Sequence, residues 1–162
     1  MKVKQIFPDR TLLEWFGERN KIDMDPSYQR RGFLWPLHNR QLLINSVLNE
    51  YDIPKIYLAD LTYGKVFLDT HRKPYAVIDG KQRFLIFFHF FNNELELDDT
   101  PVYFSDEIVT LAGLRYADIK RRYPAIAQVY ENYVPTVMGV IADQLEDVQE
   151  LFIRLNLNVS IS

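Results

Sequence analysis

Between Arg83 and Asn92 the chain reads Phe-Leu-Ile-Phe-Phe-His-Phe-Phe, directly after Asp79-Gly80-Lys81-Gln82. A helix that is apolar around nearly its whole circumference is stable in water only when other elements cover it on all sides. The sequence therefore predicts a helix over Lys81–Asn92 at the centre of the fold, with the rest of the 162 residues built around it. No internal repeat, low-complexity tract or Gly/Ser linker divides the chain, so residues 1–162 are expected to form one domain. At 48% hydrophobic and 25% charged residues, the composition is that of an ordinary globular chain rather than a disordered one.

Around the central helix, Thr11–Asn20 reads as a short helix and Lys21–Met24 as a brief strand ended by Asp25-Pro26. Pro36 suits the first position of a helix running to about Asn49, with Leu37, Leu43, Ile44, Val47 and Leu48 as its buried stripe. Ile53–Ala59 and Tyr75–Ile78 are predicted strands, with Leu61–Lys73 between them as a hairpin or loop. Leu95–Leu97 and Val102–Ser105 are candidate strands on either side of an acidic turn. A helical stretch from Tyr116 to Asn132 is interrupted by Pro124, Thr136–Ile141 is β-branched enough for a strand, and Gln144–Leu157 closes as a helix striped by Leu145, Val148, Phe152 and Leu155. Short strands mixed with helices, without regular βαβ alternation, predict an α+β fold.

Several function classes are excluded or disfavoured at once. The chain has no cysteine, which removes disulfide scaffolds, thiolate zinc sites and a cysteine nucleophile, and fits a reducing compartment. No apolar run reaches the ~18 residues of a membrane span and Met1–Phe7 lacks a signal-peptide core, so a soluble, cytoplasmic protein with no membrane partner is expected. His38, His71 and His89 have no metal-ligand spacing, and no Walker loop, dinucleotide fingerprint or HExxH helix occurs. Charge is unevenly placed. Residues 1–90 carry 14 Lys and Arg against 10 Asp and Glu, whereas residues 91–162 carry 5 against 12. That asymmetry suggests an anion partner for the first part, unless tertiary packing mixes the halves so that no face is basic.

Chemistry concentrates at Tyr75–Arg83, a strand turning at Asp79-Gly80 straight into a helix. Such a junction points the free N–H groups of the first helical turn at one spot, a natural anion site. Asp79 and Gln82 also have capping-box spacing, and a cap needs no ligand. Lys81 and Arg83, however, put cations in a first turn where the macrodipole disfavours them by about 0.3–1 kcal/mol each. A bound phosphate reverses that sign; cations turned to solvent are the alternative. Tyr28, Gln29, Arg30 and Arg31, followed by Trp35, combine guanidinium forks with rings able to stack on a base, although a packing role for the rings and a solvated loop for the arginines fit equally. On the last helix, Arg154 and Asn156 point away from the Phe152 and Leu155 stripe, and Asn156 also suits a C-terminal cap.

In series, Pro26-x-Tyr28-Gln29-Arg30, Trp35, Asp52-Ile53-Pro54-x-Ile56, Val77-Ile78-Asp79-Gly80-Lys81-Gln82-Arg83 and Phe152-Ile153-Arg154-Leu155-Asn156 resemble the GmrSD-type restriction endonuclease N-terminal domain, of the broader ParB/sulfiredoxin-like group. The Asp-Gly-x-Gln-Arg element is the most specific part. The resemblance implies a ParB-like α+β domain with a small mixed sheet and flanking helices. It also implies binding and hydrolysis of a nucleoside triphosphate, in bacterial defence against modified foreign DNA. Asp79, Gln82 and Arg83 would be catalytic, Asp79 by holding magnesium or polarising water. Gly80, Lys81, Gln29, Arg30, Tyr28, Arg154 and Asn156 would bind the nucleotide. An HNH-type nuclease module, in cis or as a partner, is implied but has no counterpart in this chain, which is expected to be the N-terminal part of a longer protein or a short stand-alone member. Lys81 stands where the family commonly has Gln, and the chain stops soon after Asn156 where the family usually continues. A non-catalytic DNA-binding module and a protein-interaction domain remain the alternatives.

Overall fold

The computed structural model describes residues 2–4, 7–24, 34–62, 73–141 and 144–161. The central helix is present as α3 (Lys81–Phe91), with Phe84, Ile86, Phe87, Phe88, Phe90 and Phe91 all buried. Helices α1 (Leu12–Gly17), α2 (Leu37–Leu48), α4 (Tyr116–Arg122) and α5 (Pro124–Asn132) complete the large core. Their rings meet those of α3 directly: Trp15 lies 5.6 Å from Phe84, Phe16 4.7 Å from Phe91, and Tyr130 4.9 Å from Phe90, centroid to centroid. Pairs of this kind add about 0.5–1.5 kcal/mol each beyond the burial itself. The Tyr130 hydroxyl, fully buried, donates to the Phe87 carbonyl at 2.8 Å.

A five-stranded sheet underlies these helices, formed by β1 (Lys2–Lys4), β2 (Ile22–Asp23), β3 (Ile56–Asp60), β4 (Tyr75–Asp79) and β7 (Val137–Ile141) in the order β1-β7-β3-β4-β2. It is mixed. β1 runs antiparallel to β7 and β3 antiparallel to β4, while β7 with β3 and β4 with β2 are parallel. Period-2 alternation divides its faces. Ile56, Leu58, Val77 and Val137 face the large core, whereas Ala59, Ala76, Ile78 and Val140 form a second, smaller cluster. That second face is covered by α6 (Leu145–Ile161) through Val148, Leu151, Phe152 and Leu155. A separate hairpin, β5 (Val102–Phe104) with β6 (Glu107–Val109), turns through Ser105 and Asp106, both at positive φ. The whole is an α+β domain with a small mixed sheet and flanking helices.

Local differences from the sequence expectation have identifiable causes. Thr11 and Glu14 form a capping box that starts α1, but α1 ends at Gly17 and the chain continues as a 3-10 turn, Arg19–Lys21. Pro36 is the N-cap of α2 rather than its first residue, and Leu37, the first helical residue, is exposed despite its place on the stripe. Leu95–Leu97 is not a strand. The backbone at Leu97 instead bonds Leu114 and Gly113, and the strand partner of β5 is β6. The break at Pro124 separates α4 from α5, with Pro at the start of α5. Most of the Leu61–Lys73 segment lies outside the described residues.

Candidate functional site

The α3 start is built by Gly80. It is the N-cap of the helix, at φ 99° and ψ 13°, a left-handed conformation open chiefly to glycine. Space demands glycine as well: a Cβ at this position would lie 2.8 Å from Ile56 Cγ1. The capping-box spacing of Asp79 and Gln82 is therefore not realised. With Gly80 rather than Asp79 at the cap, no side chain caps the helix and no acidic residue stands in its first turn. An uncapped first turn leaves amide donors for another acceptor.

Each motif residue in that turn reaches a different part of the fold. Arg83 is largely buried, its side chain 12% exposed, and its Nη2 donates to the Lys55 carbonyl at 2.8 Å. The same nitrogen is 3.5 Å from Asp79 Oδ2, a long ion pair, and Arg83 Nε is buried without a hydrogen-bond partner. Burial lowers the Arg83 pKa, opposed by the Asp79 carboxylate; the guanidinium nonetheless stays charged. Gln82 Oε1 accepts from the backbone N–H of Trp35 at 3.1 Å, and the Trp35 carbonyl accepts from Arg40 Nε at 2.9 Å. Lys81 is half-buried beside them.

Three sequence elements singled out separately thus converge on one helical turn: Trp35, the Lys55–Ile56 entry to β3, and Asp79–Arg83. Lys55 carries no side-chain signal for this role, because the group Arg83 holds is a backbone carbonyl that any residue supplies. Arg154 is exposed on α6, where it pairs with Glu150 at 2.7 Å; α6 packs on the sheet face opposite the large core. Tyr28, Gln29 and Arg30 lie outside the described residues, as does the side chain of Asn156. Among the described residues no group of three or more His, Cys, Asp or Glu could hold a metal ion, and no helix is long and apolar enough to cross a membrane.

With this geometry in place, comparison with protein families decides the affiliation. Residues 12–158 match the family model described as GmrSD restriction endonuclease, N-terminal domain. The chain belongs to this family. The match begins at α1 and ends within α6, so it takes in every converging element of the site. No match is found among curated proteins or solved structures. As a GmrSD N-terminal domain, the chain is related to DNA restriction systems.

Proposed function

We propose that this GmrSD N-terminal domain binds, and with magnesium hydrolyses, a nucleoside triphosphate, and that this step regulates a DNA restriction system. The carrying observation is the uncapped start of α3 at a left-handed Gly80, flanked by the Asp79 carboxylate and the Arg83 guanidinium. First-turn amides and the cations of Lys81 and Arg83 favour an anion for the same electrostatic reason.

In this reading Gly80 and Lys81 contact the phosphates, and Asp79 holds magnesium. Among the described residues Asp79 Oδ2 makes one ion pair, with Arg83 at 3.5 Å, and a carboxylate can accept further partners. A single carboxylate combined with phosphate oxygens is a usual way to hold magnesium. The ion, when bound, supplies charge neutralisation on the phosphates. Arg83 braces the turn against Lys55 and adds its field, and Gln82 presents its carboxamide to the reacting phosphoryl group. Tyr28, Gln29, Arg30, Arg154 and Asn156 are carried as further nucleotide contacts by the family resemblance, as are the ParB-like relationship, DNA and an HNH-type nuclease as partners, and a cytoplasmic location.

The test is calorimetric titration of the protein with ATP, GTP and CTP in the presence of magnesium. One of them should bind with a Kd below 1 mM, and Asp79→Asn should lower its hydrolysis at least tenfold, an order of magnitude set by loss of one charge-stabilising group. Absence of binding by all of them overturns the proposal.

A further inference from the structure

A carboxamide has unlike ends: its oxygen only accepts hydrogen bonds and its nitrogen only donates. The Trp35 N–H must be met by an acceptor, so its bond to Gln82 fixes Oε1 on the Trp35 side and makes Nε2, which has no partner among the described residues, the opposite, donor end of the side chain. Gln82 is the second residue of α3, and its backbone amide belongs to the uncapped first turn. An anion drawn to that turn lies within reach of a donor whose other end already holds Trp35.

Trp35 is itself clamped at both peptide groups, and by side chains rather than by a ladder. Gln82 takes its N–H and Arg40 of α2 takes its carbonyl. Hydrogen bonds in series polarise one another, so a negative charge accepting from Nε2 strengthens acceptance at Oε1. The reverse holds equally, because coupling between two sites is reciprocal.

We propose that Gln82, besides touching the ligand, couples ligand occupancy at the α3 start to the segment entering α2, by donating from Nε2 to the ligand while its Oε1 holds the Trp35 amide. This rests on the nucleotide-binding reading above, and it adds a route by which the bound state is communicated to α2. Gln82 meets that segment at the Trp35 backbone amide, which is therefore the reporter.

The experiment is a titration of the full, isotope-labelled protein with ATP and magnesium, followed through backbone amide signals in 1H–15N spectra. The Gly80 amide reports occupancy and the Trp35 amide reports the relay. In the native protein both signals should move together and saturate at the same ATP concentration. Gln82→Met, similar in size but with no donor and only a weak acceptor, should abolish the Trp35 response at ATP concentrations that saturate Gly80. Gln82→Glu keeps an acceptor for Trp35 but replaces the donor by a negative charge; its affinity for ATP should fall more than tenfold. A native Trp35 amide that stays fixed while Gly80 titrates overturns the coupling and leaves the nucleotide site standing, as does a Gln82→Met protein whose Trp35 amide still follows ATP. If neither signal moves with ATP, GTP or CTP, the nucleotide reading falls and the coupling with it.

Discussion

Gly80 is constrained from two directions at once, by a φ of 99° that side chains rarely adopt and by Ile56, whose Cγ1 would sit 2.8 Å and Cβ 3.1 Å from an added methyl. Ile56 has no solvent exposure and stands in the middle of the mixed sheet, so it cannot swing aside. Gly80→Ala should therefore cost about 2–4 kcal/mol, combining backbone strain with overpacking. Urea unfolding is the measurement, and in an Ile56→Ala background the same substitution should cost at least about 1 kcal/mol less, because contacting residues are not additive. A Gly80→Ala protein as stable as the native one would contradict the assigned geometry. This residue, with Asp79 and Arg83, was legible in the sequence because strand, glycine and helix follow one another with unusual cations in the first turn. What was not legible is whom they touch. Arg83 and Gln82 bond the backbone of Lys55 and Trp35 across 28 and 47 residues, and backbone groups leave no mark on residue type.

At the scale of elements, α4 and α5 are pinned together beyond their apolar packing. Glu131, buried on α5, accepts from the Tyr116 hydroxyl and from Lys120 Nζ at 2.7 Å, both on α4. Burial pushes the Glu131 carboxyl pKa up, but those hydrogen bonds and the Lys120 charge outweigh it, and the net displacement is downward. A carboxyl whose folded pKa lies below its unfolded value contributes stability above the unfolded pKa and loses it as pH falls through the folded one. Glu131→Gln should thus be less stable than the native protein at pH 7, and the two unfolding midpoints should converge as pH falls below about 4. A constant gap between pH 7 and pH 3 would show that the ionised carboxylate is not the stabilising form. The α4–α5 break itself was readable, since Pro124 suits a helix start and not a helix interior. The short strands were less so. Each β6 residue is at least partly exposed, so β6 carries no burial alternation to detect, and β1 has only three residues. Leu95 and Leu97 do alternate and are buried, yet their segment lies outside both sheets.

For the molecule as a whole, ligand binding and folding are linked quantities. A nucleotide bound only by the native state at a hundred times its Kd stabilises it by about 2.7 kcal/mol. In a chain of this size that raises Tm by roughly 5–10 °C. Thermal melting with and without nucleotide should show that rise, and an unchanged melt at such excess would favour a domain whose α3 turn serves only its architecture. The sheet order adds a constraint of another kind. β7 lies between β1 and β3, so among the described strands β1 has no neighbour until residues 137–141 exist. During synthesis, which delivers about 5–20 residues per second, β1 must wait several seconds on the ribosome for β7 to emerge. Completion of the sheet is therefore a late event governed by distant pairing, and nascent chains halted before β7 would leave both β1 and one edge of β3 open to chaperones or to each other.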